Sequence, residues 1–556
     1  GLSLDYRYKK LQIRNYISYN STRSEDSPYG VFSDYARMQP YYELKDEDGN
    51  WIKKYGNQVN PIYKTTLKSY NGKSVDNELL DNLNVNYDIL EGFQFKGQLS
   101  ISKMDRSSET YVDPLDEQFS NRKINEKGSL AKSFGKSVDW NVNAMFYYNH
   151  SFGKHFINAT AGINVKEAKS ESYSMNFIGF QLGSLHNPAL AADQPSKTDV
   201  SNTKSRLFGL LASLNYSYNN VYLLDASYRL DGSSQFGSDK RFAPFWSVGM
   251  GVNVHNYKWL KDHWLVSMLK VRASYGSTGK VNFPSYTAVT TYSTDTESWY
   301  YTGAAASLVY LGNSDLKWET TKTLDAGIEI GLFNDIIYLK GGYYNKKTVD
   351  LIDEIYIRSS SGFERYRSNG GTVVNKGMEF YLRATLYRDK DWIVTMNANL
   401  GSNKNEITKL GKASEEYNNK LNENYDAKYP DYSRLVTTPL QKYYVGASTT
   451  ALYAVRSAGI DPAAGMEKFI KKSGTSTYTW CADDQVVVGD LNPDAQGTIG
   501  INIGYRGIYV NASFMYQWGA QIYNSTLLEK VENADIENSN VALGKMETTG
   551  RHRALL

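Results

Sequence analysis

Strict period-two alternation, repeated along most of the chain, constrains the fold more than any other feature of this sequence. Residues 222–231 read YLLDASYRLD. Tyr222, Leu224, Ala226, Tyr228 and Leu230 fall on one face, and Leu223, Asp225, Ser227, Arg229 and Asp231 on the other. That is the period of a β-strand with one apolar and one mostly polar face. Phe208, Leu210, Ala212, Leu214, Tyr216 and Tyr218 alternate just before it, separated from Val221 only by Asn219-Asn220. Asparagine tolerates the positive φ that a two-residue hairpin needs. After a glycine- and serine-rich turn at residues 232–237, Trp246, Val248, Met250, Val252 and Val254 continue the pattern. One long antiparallel meander is already specified.

The same signature recurs in pairs of strands at residues 2–8 and 11–19, 83–89 and 93–101, 140–148 and 157–165, 324–332 and 337–343, 378–386 and 392–400, and 499–505 and 508–516, with a further strand at 269–275. Connections alternate between very short and long. Keeping that alternation between Leu440 and Ile499 places two more strands at about residues 442–447 and 451–460, for a total of about eighteen. Strands of about 10–15 residues exceed the usual 5–6 of a soluble sheet and are long enough to cross a bilayer at a tilt of about 40°. The fold expected is all-β: an antiparallel transmembrane β-barrel with short periplasmic turns and long extracellular loops. A mean hydropathy of −0.52 and the absence of a spanning-helix run do not oppose it, because a barrel's lipid face uses only every second residue. The competing reading is a soluble sandwich, propeller or extended sheet. A propeller would show a 40–50-residue repeat, which the sequence lacks.

Chemistry-bearing motifs are weak. The six histidines make no zinc spacing, and GxSxG does not occur. GSTGK at residues 276–280 lacks the first glycine and the final Ser/Thr of a P-loop. Asp46, Asp48 and Asn50 resemble part of a calcium loop, but Gly49 is misplaced and the closing Glu is missing, so a turn is expected. No catalytic residue, metal ligand or cofactor is assigned. The net charge of +3 gives no electrostatic case for nucleic acid, and the single cysteine, Cys481, excludes an internal disulfide. The polar faces do carry paired charges: Asp225 and Arg229, Lys270 and Arg272, Asp325 and Glu329, Glu379 and Arg383. Such spacing suits a wet or plugged lumen, although a solvated sheet face would look the same at any single residue. Trp299, Tyr300 and Tyr301, in a long loop, are candidates to stack on a substrate, with loop packing or an interfacial girdle as the competing reading.

Residues 228–249 (YRLDGSSQFGSDKRFAPFWSVG) closely resemble the signature barrel segment of the SusC/RagA family of TonB-dependent transporters. Four further stretches resemble the same family in the same order: 269–280 (LKVRASYGSTGK), 316–333 (LKWETTKTLDAGIEIGLF), 375–380 (NKGMEF), and 458–465 (AGIDPAAG) with 489–497 (GDLNPDAQG). The resemblance implies a 22-stranded barrel in the outer membrane of a Bacteroidetes-type bacterium. It implies import of glycans or oligopeptides, a SusD-like surface lipoprotein as lid, and energy from TonB. A homodimer of that complex is compatible with it.

Against that pattern, the family's N-terminal extension, TonB box and plug domain are absent from this chain. The strand count is about four short of 22. Open strand edges in lipid leave unsatisfied backbone groups. Residues 1–556 are therefore expected to be a single barrel domain truncated at both ends, with TonB contacted through the missing N-terminal part. The leading expectation is a nutrient importer without enzymatic activity, set in outer-membrane lipid and lipopolysaccharide. The alternative is a non-transporting receptor or scaffold barrel that holds surface lipoproteins or other protein partners.

Overall fold

The computed structural model describes residues 1–524 apart from 32–33, 36–37, 39–41, 57, 262, 282, 302, 357–364, 427–439 and 523. For residues 58, 71, 293–300, 304–305, 307–310, 355–356, 365, 420, 422–426 and 440–441 it describes the backbone alone.

Sixteen strands follow one another as a single antiparallel sheet in chain order. They are β1 (Leu2–Tyr8), β2 (Leu11–Ser24), β3 (Tyr70–Leu90), β4 (Phe93–Val112), β5 (Ser129–Phe152), β6 (His155–Ile178), β7 (Asp199–Tyr218) and β8 (Tyr222–Ser233). They continue as β9 (Phe242–Asn253), β10 (Val266–Lys280), β11 (Glu319–Leu332), β12 (Ile337–Tyr356), β13 (Arg365–Arg388), β14 (Trp392–Lys409), β15 (Ala495–Tyr505) and β16 (Ile508–Trp518). Every strand pairs with its chain neighbours, so among the described residues only β1 and β16 have a free edge. The tight turns form where the sequence supplies turn residues. Asn219 and Asn220 both take positive φ, 53° and 57°, and Arg506-Gly507 does the same at 44° and 93°.

All sixteen strands coincide with alternating segments of the sequence. The two placed at 442–447 and 451–460 do not join the wall. Residues 442–447 are irregular. Ala451–Ala454 pairs with Leu440–Gln441 and Val486–Asp490 in a separate three-stranded loop sheet. Arg456–Asp461 pairs with Met466–Ile470 in another. The alternation of short and long connections fixes the parity of the strand count, and one long connection from β14 to β15 satisfies it as well as two extra strands do.

Several strands are longer than their apolar pattern. β5 and β6 have 24 residues each, paired without a break from Phe152–His155 to Ser129–Ile178. At about 3.4 Å per residue such a strand is about 80 Å long, whereas an apolar band needs only about 10 residues of it. The remainder stands in water, where nothing enforces alternation, and the sequence there reads as loop. Ion pairs replace apolar contacts on this part of the wall, as in Lys132–Glu109 at 3.1 Å and Arg106–Asp76 at 2.7 Å.

The apolar face stays open to its surroundings along the whole sheet. Leu210, Leu224, Met250, Val271, Leu324 and Phe380 are all exposed, so this face is not a core covered by a second layer. Rings gather where this face meets the short turns. Tyr148, His150, Phe152 and His155 stack in series, and Tyr218, Tyr222, Tyr257 and Trp259 extend the row. Such a girdle belongs at a membrane–water boundary, where rings with one polar edge are favoured.

The buried clusters lie in the loops at the opposite end. Phe236 stacks on Trp318 with ring centres 4.4 Å apart, and Phe245 meets Trp318 edge-on at 5.5 Å. The Trp318 indole N–H donates to the carbonyl of Arg241 at 3.1 Å, and Gly237 N–H donates to the carbonyl of Leu316. Leu316 is fully buried. Gly237 is required here: a Cβ on it would lie 1.9 Å from the carbonyl oxygen of Ser314. The segments FGSDKRFAPF and LKWE are thus two halves of one packed unit. That unit clamps the β8–β9 connection onto the segment entering β11. A second cluster, Tyr111, Leu130 and Phe180, fixes the loops above β4 to β6.

Candidate functional site

The polar face of β10 to β13 carries six of the eight charged residues expected from the sequence to line the lumen. Register brings them together across strands. Residues two or four apart along one strand are about 7 and 14 Å apart, whereas directly opposed residues on neighbouring strands have Cβ atoms about 5 Å apart. Ser274 is opposite Asp325, Lys270 is opposite Glu329, and Gly342 lies between Gly327 and Glu379. Arg272 Nη1 stands 2.9 Å from Asp325 Oδ1, an ion pair by distance without hydrogen-bond alignment, and Arg272 Nε is 3.9 Å from Glu329. The Tyr338 hydroxyl donates to Glu329 at 3.0 Å. Arg383 lies over the Tyr338 ring, 5.3 Å from its centre, which favours the cation electrostatically. A chain of contacts therefore runs Asp325–Arg272–Glu329–Tyr338–Arg383 over four strands.

Beside it opens a cavity of about 720 Å³, lined by Arg272, Asp325, Tyr338, Lys340, Tyr344 and Glu379 among others. Glycines make the room. Gly342 faces Glu379, and Gly377 lies under Tyr344, whose hydroxyl donates to Asn403 at 3.1 Å. A cross-strand ring covering a glycine restores the contact that the missing side chain forfeits.

The sequence-predicted residues divide accordingly. Arg272, Asp325, Glu329 and Arg383 join the network. Glu379 lines the cavity, and Lys270 holds the register position opposite Glu329. Arg229 pairs with Asp231 and not with Asp225. Asp225 lies opposite Asn215 and Gly249. Tyr338, Lys340, Tyr344 and Tyr381 were not singled out in the sequence. Their signal is present: they occupy the even positions of β12 and an odd position of β13, the faces opposite to Leu339 and Phe380.

Trp299 and Tyr300 lie on a two-stranded hairpin, Thr291–Tyr300 with Gly303–Tyr310, in the β10–β11 connection. Their side chains are outside the described residues. Tyr301, at the tip, is fully exposed. The weak motifs resolve as ordinary structure. Residues 276–280 are extended within β10, and Asp46 accepts the Asn50 backbone N–H in a turn closed by the Lys45–Trp51 bridge. Among the described residues no group of three or more His, Cys, Asp or Glu is placed to hold a metal ion.

Comparison with known proteins agrees with this architecture. The family model described as "TonB dependent receptor-like, beta-barrel" matches residues 3–524. TonB-dependent receptor P39 of Formosa agariphila is 27% identical over 385 residues, covering 68% of this chain and 36% of the relative. TonB-dependent receptor SusC of Bacteroides thetaiotaomicron is 26% identical over 470 residues, covering 82% of this chain and 45% of the relative. The structure of the RagAB peptide transporter superposes with a TM-score of 0.81 at 22% identity, covering 98% of this chain and 60% of the matched one. The chain spans half or less of the length of these curated relatives. It belongs to the TonB-dependent receptor-like β-barrel family, of the SusC/RagA type, and its strands are wall strands of an outer-membrane barrel.

Proposed function

We propose that this chain is the barrel domain of a TonB-dependent nutrient importer. A plug and a TonB-contacting segment would come from sequence outside residues 1–556, and a SusD-like lipoprotein would close the loop end. The cargo class is a glycan or an oligopeptide, too large for simple diffusion through a narrow pore. The observation that carries the reading is the contrast between the two faces of the wall. One is apolar and girdled by rings. The other presents Arg272, Glu329, Tyr338, Lys340, Glu379 and Arg383 around an open cavity. Pre-paired charges and tyrosine edges can exchange partners with a passing polar cargo at little net cost, which suits transit better than tight retention. In this reading no covalent chemistry occurs on the chain, and its substrate contacts are the lumen charges and the Tyr301 hairpin.

The test is growth and uptake. A strain lacking the full-length gene is supplied with single glycans or with oligopeptides as sole nutrient. It is complemented with wild type or with an Arg272→Gln/Glu379→Gln variant that still assembles. Import restored by wild type and lowered by the variant for one cargo class supports the proposal. A gene whose loss changes binding of a surface lipoprotein, but uptake of no cargo, would leave the receptor or scaffold reading standing instead.

A further inference from the structure

The β14–β15 connection folds back onto the lumen side of the wall. On the inward face of β14, Asn399 lines the lumen cavity and Asn403 accepts from the Tyr344 hydroxyl. Asn405, next on that face, accepts the Thr449 backbone N–H at 2.8 Å and the Thr449 hydroxyl at 2.9 Å. Buried Ile407 exchanges backbone hydrogen bonds with Gly446 and Ala447, each of 2.8 Å. Asp490 accepts from the Thr450 hydroxyl at 2.6 Å and from the Asn492 N–H at 2.9 Å. The turn at residues 444–447 and the sheet of Ala451–Ala454 with Val486–Asp490 are thereby fixed to the end of β14. From Asn399 to Asn405 is about 20 Å along the strand, so this unit stands at the long-loop end, before the lumen charges.

A cavity of about 540 Å³ opens in it. Lys442, Lys472 and Asp483 bring two positive charges and one negative to the lining. Lys442 is 3% exposed. Burial holds its ammonium below the usual lysine range; Asp483 raises it and Lys472 lowers it further. An anion between the two lysines offsets both the burial and the repulsion. Gln485 is 7% exposed and lines the same cavity, and its buried Oε1 has no hydrogen-bond partner among the described residues. An orphaned buried acceptor is costly, and a donor from an occupant satisfies it. The soft terminal torsion of glutamine lets the amide turn towards that donor. The remaining side chains are mostly apolar, with Val445 and Val487 exposed.

An occupant must therefore offer an anion, a donor close to it and an apolar group. The C-terminal residue of a peptide carries all three on one carbon: the carboxylate, the amide N–H and the side chain. An acidic sugar has the first two, but its other hydroxyls would face the valines without partners. Val486–Asp490 is also an edge strand of its sheet, with Gln521 covering its Asp490 end. Extended peptide backbone can pair with such an edge.

We propose that this cavity captures the free C-terminus of a peptide cargo, with the carboxylate between Lys442 and Lys472, the last amide N–H on Gln485 and the last side chain against Val445 and Val487. The proposal rests on the importer reading and, within it, chooses oligopeptide over glycan.

The experiment uses the full-length transporter purified from outer membranes in detergent. Fluorescence anisotropy follows a labelled hexapeptide ending in Ala-Leu-Val, with a free carboxylate or as its C-terminal amide, and trigalacturonate competes as the acidic-sugar probe. The acid is expected to bind at least tenfold tighter than the amide and to resist equimolar trigalacturonate. Lys472→Gln, at an exposed side chain, is expected to cut the acid-over-amide preference to about threefold or less. Gln485→Glu keeps an acceptor but sets a negative charge beside the cargo carboxylate, and should weaken the acid at least tenfold. Heat-modifiable migration confirms that each variant is folded. Equal binding of acid and amide overturns the proposal, as does an unchanged preference in Lys472→Gln, or displacement by trigalacturonate, which would mark an acidic-sugar site instead. Uptake of the same peptides into cells separates the two readings. Selective binding without uptake counts against import alone and leaves the site standing, whereas equal uptake and equal binding of acid and amide refute the site and leave import intact.

Discussion

Trp318→Ala tests whether the two signature segments form one cooperative unit. Trp318 is 6% exposed, touches Phe236 and Phe245, and donates its indole N–H to the Arg241 carbonyl. Removing a buried tryptophan side chain costs about 3–5 kcal/mol, through lost transfer energy and the cavity left behind. At about 1.4 kcal/mol per tenfold, that corresponds to a rise in local opening of roughly a hundred- to a few-thousand-fold. The loss is confined to the loop layer, because β8 and β9 keep their backbone ladder with each other and with β7 and β10. Hydrogen exchange measured on the full-length protein in nanodiscs reads this directly. The N–H groups of Gly237 and Leu316, bonded to the carbonyls of Leu316 and Asn313, are expected to exchange faster by that factor, while amides at 222–230 stay protected. Trp318→Phe keeps a ring in the cluster and loses only the indole donor, a loss of about 1 kcal/mol or about fivefold in exchange. The reasoning fails if Trp318→Ala leaves residues 234–241 as protected as before. It fails equally if residues 222–230 open by the same factor, which would mean that the loop cluster holds the wall.

Three further outcomes follow from local geometry. Glu117 is held below the usual glutamate range, chiefly by the Lys54 ammonium 2.7 Å away, which ties the β2–β3 loop to the β4–β5 loop. A depressed carboxyl stabilises above its unfolded pKa of about 4.5, and that contribution is lost as pH falls through the lower folded value. Limited proteolysis of residues 52–66 and 113–128 should therefore quicken below about pH 4, and Lys54→Gln should flatten the dependence; a profile unchanged by the substitution counts against the link. Gly377→Ala would set a Cβ 2.3 Å from the Tyr344 hydroxyl and 2.4 Å from the Ser402 carbonyl, an overpacking of about 1–3 kcal/mol, and should lower the assembled fraction in heat-modifiability gels. Arg272→Gln unpairs Asp325 and Glu329, but these groups are partly solvated, so assembly and melting should shift by less than about 1 kcal/mol while cargo uptake falls.

How much of this was legible depends on what each residue faces. Alternation survives in sequence only where one face meets lipid and the other water. Hence Trp140 to Tyr148 announced β5 clearly, while residues 129–137 of the same strand read as loop. The ladder continues there because backbone pairing needs no apolar pattern, only a neighbour in register. The loop sheets at 440–490 failed for the opposite reason. Ala451–Ala454 is buried on both faces, and short fully buried strands carry no period to read. At the candidate site, composition along one strand gave the charges but not their partners. Arg229 pairs with Asp231 two residues along its own strand, whereas Arg272 pairs with Asp325 on the next strand, and that cross-strand choice is set by register and register by turns. The tyrosines were hidden by their own abundance: with 46 in the chain, Tyr338 and Tyr344 stand out only once their face is known.

The distribution of glycine ties these observations together. On the polar face of β9 to β14, Gly251, Gly327, Gly342, Gly377 and Gly401 lie at register positions beside Arg272, Glu379 or Tyr344. Gly327 lies within contact distance of the Arg272 guanidinium, and Gly377 under the Tyr344 ring. A strand glycine weakens the sheet by itself, through backbone entropy and the missing side chain. Placed beside Arg or Tyr, it lets those side chains lie along the wall instead of projecting into the lumen. The wall then presents charge and ring faces while leaving space, which the proposed import of a bulky polar cargo would require and a packed core would forbid. On the outward face glycines are covered by rings instead: Phe242 lies across Gly232, and Phe95 lies beside Gly97. Filling inward glycines such as Gly327 or Gly342 should narrow the path for cargo and lower its uptake, while the apolar outer face stays as it is.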